Sequence, residues 1–243
     1  MDWVSKAAEL NRNGVSCLHT RHVKLALQYF KGSLEILSLL STGFKECESY
    51  FPEGESTSPP LPASQPQLPR DGSAVANSNV TLEEKVESPT GPSCELGEAS
   101  QYLYEKGLVF ATSDDLCPEL FSFYIAVVEF NMALSLQVLS RRWGERFLCN
   151  AIRVYDHCLG HLHASGCDID SCNTLFFAAL NNKAAIFYDM SNFDMARDVL
   201  GDLLKGINEC RKSGSLTSID NEDLEGFLFN VMLFKGACIA PAA

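Results

Sequence analysis

Basic charge is scarce in this 243-residue chain: 19 Lys and Arg stand against 31 Asp and Glu, a net of −12. Phosphate backbones and anionic lipid would repel such a chain, so nucleic-acid and membrane-surface roles are not expected. Uninterrupted apolar runs are short as well, none approaching the roughly 18 residues that suggest a membrane-spanning helix. The start, Met1-Asp2-Trp3-Val4-Ser5-Lys6, has neither the basic nor the apolar region of a secretory signal. Cysteine, at 10 of 243 residues, is too thin for a secreted disulfide scaffold. Several cysteines fall in helix-patterned stretches, where a thiol behaves as a small apolar group. Together these absences point to a reducing compartment, the cytoplasm or nucleus. Enzymatic signatures are also missing: no Gly-x4-Gly-Lys-Ser/Thr loop, no Gly-x-Gly-x2-Gly, no Gly-x-Ser-x-Gly elbow and no His-Glu-x2-His. The expectation is a non-catalytic protein with no cofactor.

What is present divides unevenly. Eight of the ten prolines lie in residues 51–98, a stretch whose eight acidic and two basic side chains give it a net of −6. With few large apolar residues it reads as a disordered Pro/Ser/Glu-rich insertion, 44–98 with its flank. Pro59-x2-Pro62 and Pro66-x2-Pro69 within it have the form of polyproline ligands, though a passive tether is the better account of them.

The remainder is patterned for helices. Val4, Ala7, Ala8, Leu10, Gly14 and Cys17 recur at helical steps, and so do Leu25, Ala26, Tyr29, Phe30 and Leu37 after a break at His19–His22. Helices are expected from Pro118 to about Leu139, from Trp143 to His163, from Asn173 or Thr174 to Met190, and from Asp194 to Arg211. A last helix is capped by Asp220. Gln101 to Ala111, with Tyr102 and Tyr104 alternating before Leu108-Val109-Phe110, reads as extended chain, with a short hairpin around Lys106-Gly107.

The helices repeat in pairs. The second helices share Ala26-x3-Phe30-x2-Ser33, Ala151-x3-Tyr155-x2-Cys158 and Ala196-x3-Leu200-x2-Leu203. The first helices share small residues at Gly14, Ala133 and Ala184. Gly14 to Ala26 and Ala184 to Ala196 are both separations of 12 residues; Ala133 to Ala151 is 18, which implies an extended turn over Ser140-Arg141-Arg142-Trp143-Gly144. These frames resemble the tetratricopeptide repeat. The resemblance implies an all-α fold, a short right-handed solenoid of antiparallel helix pairs with a long insertion and a C-terminal capping helix. Its expected divisions are 1–43 for the first pair, 44–98 for the insertion, 99–117 for an extended segment, and 118–243 for two further pairs and the cap.

The same resemblance implies a concave groove lined by the first helices and a protein or peptide ligand. The candidate groove residues are Asn11, His19, Phe130, Asn131, Gln137, Asn181, Asn182 and Tyr188. Asn131, Asn182 and Asn230 occupy one equivalent position in successive first helices; an amide donates and accepts, so a row of them can hold an extended backbone whatever its sequence. Tetratricopeptide domains that grip a chaperone's terminal carboxylate flank their Asn with Lys and Arg. The matching positions here are Asn11, Ala178 and Asn182, which argues against that ligand. Val127, Phe130, Leu134 and Tyr188 favour an apolar or amphipathic helical ligand. The chain's own insertion is another candidate occupant. An alternative function is zinc binding by His157, His161 and Cys167, since histidines four apart share a helix face.

Overall fold

The computed structural model describes residues 2–49, 101–110, 118–165 and 169–237. The expected insertion therefore lies almost wholly outside the described residues. Among those described, seven α-helices follow in order: α1 Trp3–His19, α2 Val23–Ser49, α3 Pro118–Trp143, α4 Arg146–Ala164, α5 Ile169–Asp189, α6 Phe193–Ser213 and α7 Asn221–Ala237. Each helix packs on its neighbours in sequence, and α1 with α3, α3 with α5 and α5 with α7 are also in contact.

The pairing rests on the small residues. Ala26, Ala151 and Ala196 are fully buried, as are Ala133 and Ala184, so the helices approach closely there. Gly14 is the tightest case: a Cβ would stand 2.4 Å from Cε1 of the Phe30 ring. The two 12-residue separations correspond to two identical turns. In the first, His22 N–H donates to Cys17 C=O at 2.8 Å and Arg21 N–H to Leu18 C=O at 3.0 Å. In the second, Asn192 N–H donates to Phe187 C=O and Ser191 N–H to Tyr188 C=O, both at 2.8 Å. These bonds close the helix C-terminus in the Schellman pattern. It requires a left-handed residue, here Arg21 (φ 61°) and Ser191 (φ 58°) rather than the usual glycine.

Three expectations need correction. Ser140 to Trp143 is the last turn of α3, not part of an extended loop; the chain reverses at Gly144, whose φ of 97° suits glycine, and α4 begins at Arg146. Among the described residues Gln101–Phe110 forms no hairpin around Lys106-Gly107: residues 101–109 lie in no regular element, and the backbone of Tyr102 and Tyr104 pairs with side chains. Finally, one helical stretch, Leu120–Trp143, is long and apolar enough to cross a membrane by length and composition, and 78% of its most apolar 18-residue window is buried inside the protein. That apolarity fills the core: Phe121, Phe123, Tyr124, Ala126, Val127, Val128, Phe130 and Ala133 are all essentially inaccessible.

Caps fix the helix starts. Asp2 Oδ1 accepts from Val4 N–H at 3.2 Å, Asn192 Oδ1 from Met195 N–H at 3.4 Å, and Asp220 Oδ1 from Glu222 N–H at 3.2 Å.

Candidate functional site

The segment Gln101–Phe110 crosses α7, α5, α3 and α1, held by buried asparagines. A peptide unit in a buried place must find a donor and an acceptor, and a side-chain amide supplies both in one plane. Asn230 Oδ1 accepts from Tyr102 N–H at 2.8 Å, and its Nδ2 donates to Tyr102 C=O at 2.7 Å. Asn182 holds Tyr104 in the same two-point manner, both bonds at 2.9 Å. Asn131 holds Leu108, accepting at 2.9 Å and donating at 2.7 Å. Asn181 and Asn11 add second donors to the carbonyls of Tyr102 (3.1 Å) and Leu108 (2.9 Å).

The amides also orient one another. Asn131 Nδ2 donates to Asn11 Oδ1 at 2.9 Å and Asn230 Nδ2 to Asn181 Oδ1 at 2.7 Å. Asn182 Nδ2 reaches the Tyr155 hydroxyl at 3.2 Å, and that hydroxyl donates to Gln137 Oε1 at 3.1 Å. All five asparagines are buried, so each bond works in a medium where leaving a partner unpaired is costly.

Side chains at even positions of the segment fill pockets. Tyr102 lies edge-on to Phe227, with centroids 5.8 Å apart, over Gly226, where a Cβ would approach its ring to 2.6 Å. Tyr104, 1% exposed, meets Phe130 edge-on at 5.9 Å and stacks on Phe227 at 6.0 Å. Lys106 Nζ lies 2.9 Å from Oδ2 of the buried Asp223, whose Oδ1 accepts from the Tyr102 hydroxyl at 2.7 Å. Burial, and then that carboxylate, push the Tyr102 phenol well above its ordinary pKa. Leu108 is buried, and Phe110 stacks on Tyr124 at 4.4 Å. Gly107, just before Leu108, passes Val15 so closely that a Cβ would be 2.8 Å from its Cγ1.

The structure therefore gathers Asn11, Phe130, Asn131, Asn181 and Asn182 around the segment Gln101–Phe110. Gln137 stands one step behind, bonded to Tyr155. Tyr188 packs edge-on against Phe193 and Phe234, and His19 is exposed in the last turn of α1. Asn230, noted in the sequence only as part of the repeating row, belongs to the site in full. Tyr102, Tyr104 and Leu108 were the residues that pattern-reading missed as partners; their period-two alternation was the signal for them.

His157 and His161 face Glu129 on α3, with Nδ1 3.9 Å and Nε2 4.0 Å from its Oε1. Glu129 is buried, its Oε2 has no hydrogen-bond partner among the described residues, and burial raises its pKa from 4.5 to about 7. Cys167 lies outside the described residues. Among those described, no group of three or more His, Cys, Asp or Glu is placed to hold a metal ion. Comparison with family models, with curated proteins and with solved structures gave no match.

Proposed function

We propose that this chain is a non-catalytic protein–protein interaction scaffold, a diverged tetratricopeptide-like solenoid that recognises extended peptide at its concave face. The observation that carries this reading is the asparagine row. Side-chain amides on successive first helices pair with both polar groups of Tyr102, Tyr104 and Leu108, a device that reads backbone and not sequence. The matched helix-pair turns and the contacts along the first helices support the solenoid. The same row favours an extended ligand over an amphipathic helix, because a helix has already spent its N–H and C=O groups on itself. No terminal-carboxylate clamp is involved, and the acidic surface disfavours nucleic acid and anionic membranes. The cytoplasm or nucleus is the setting these features suit.

The experiment is selection of peptides from a random displayed library against the full-length chain, followed by photocrosslinking. Binders should attach to the strand and the first helices, not near Arg153 or Asp198 on the outward faces of α4 and α6. A library that yields no binder, or binders crosslinked only to those outward faces, overturns the reading.

A further inference from the structure

The resident strand uses only one of its two edges. Tyr102, Tyr104 and Leu108 turn their N–H and C=O groups to the asparagines, and in extended chain the intervening residues turn theirs the other way. Among the described residues, the N–H and C=O groups of Leu103, Glu105 and Gly107 have no hydrogen-bond partner. Such an edge is a template for a further strand.

A surface cleft of about 920 Å³ adjoins that edge, with Leu103, Glu105 and Arg141 on one side and Glu225, Phe229 and Met232 of α7 on the other. Its volume is that of a ligand site. Met232 is 64% and Phe229 40% exposed, an apolar floor beside unused backbone groups. The rim is acidic: Glu222 and Glu225 join Glu105, and Arg141, the one cation lining the cleft among the described residues, is engaged with Glu105 at 3.1 Å.

We propose that this edge docks an extended basic–apolar peptide segment of a partner protein, added as a second strand beside residues 103–107. This rests on the peptide-scaffold reading and locates the ligand beside the asparagine-held strand, which stays in place. Backbone pairing supplies the attraction, alternate apolar side chains cover Phe229 and Met232, and intervening Lys or Arg side chains answer Glu222 and Glu225. An acidic peptide would meet three carboxylates and a chain of net charge −12. Five residues of strand span about 17 Å, so a peptide of five to seven residues is long enough.

The test uses the full-length chain and a fluorescein-labelled seven-residue peptide alternating Lys with Val, read by anisotropy. Two further copies are N-methylated on alternate amides, one in each register, and in a fourth Glu replaces Lys. The parent should bind, the Glu copy at least tenfold more weakly. One N-methyl register should lose binding and the other keep it, because only one set of amides faces the edge. Glu225→Lys and Met232→Lys, both at exposed positions, should each weaken the parent at least tenfold while circular dichroism stays unchanged. Equal binding of both N-methyl copies, or indifference to both substitutions, overturns the edge site, and so does absence of binding. Hydrogen exchange separates this from the broader reading. Peptide that binds while the Tyr102, Tyr104 and Leu108 amides become exposed has displaced the resident strand, which refutes the edge site and leaves concave-face recognition standing.

Discussion

Helices α3 and α5 differ from helices α4 and α6 in how their faces are spent. On α4 and α6 the buried residues form one stripe, Leu148, Ala151, Tyr155, Cys158 and Leu162 on one helix and Ala196, Val199, Leu200, Leu203, Ile207 and Cys210 on the other. The opposite faces carry charge to solvent. On α3, Leu120 to Leu134 is buried at nearly every position, and on α5 Phe177 to Asn182 is buried without interruption. The difference lies in what covers the side of α3 and α5 that faces residues 101–110. A groove open to water would require a polar inner face on α3 and α5; here residues 101–110 fill it, and the helices need two apolar faces and a row of amides.

That contrast can be broken from the strand side. Tyr104→Ala removes a fully buried ring wedged between α3 and α7 and should cost about 3–5 kcal/mol in urea unfolding. Asp198→Ala, on the outward face of α6, should stay within about 0.5 kcal/mol. If the two costs were alike, the strand would not be part of the core.

The seam between α3 and α4 should respond to pH. Glu129, with its pKa raised from 4.5 to about 7, binds a proton more tightly folded than unfolded. The contribution of this one group to stability is therefore full below about 4.5, falls as pH rises to about 7, and is then lower by about 3 kcal/mol. His157 and His161 of α4 and the buried Cys158 face the same carboxyl, and imidazolium character would reduce the drop. Glu129→Gln should abolish the decline and raise stability above pH 7, as followed by unfolding at pH 5 and pH 8. An unchanged pH profile would show that Glu129 is solvated.

Asn182→Ala strips both partners from the Tyr104 peptide groups and should cost about 2–3 kcal/mol. The smallest effect is a gain: Ser191→Gly relieves a left-handed residue in the turn between α5 and α6 and should stabilise by about 0.5–1 kcal/mol, seen as a higher Tm. A loss there would mean that the Ser191 side chain contributes more than its backbone strain costs.

Much of the helical frame was legible because it is written in short-range spacing. Equal 12-residue separations produced equal turns at Arg21 and Ser191, and every alanine notch named in the repeat is buried. The α3–α4 junction was misread because Arg141, Arg142 and Trp143 look like a loop; they are the exposed last turn of a long helix, and Gly144 alone marks its end. The asparagine row could be read because one residue type recurs at one register. Its partner could not, since Leu108 meets Asn131 across 23 residues and Tyr102 meets Asn230 across 128. Alternation at Tyr102 and Tyr104 announced an extended chain, and local pattern supplied a hairpin where side-chain amides take the place of a neighbouring strand.

Amide hydrogen exchange on the full-length chain at neutral pH, read at Tyr102, Tyr104 and Leu108, bears most directly on the claim that asparagine side chains hold this strand in the fold. These three amides should be protected to the same degree as those in the middle of α3 and α5, with Glu105 and Gly107 exchanging far faster. Exchange of all five at the rate of an unstructured peptide would contradict the account.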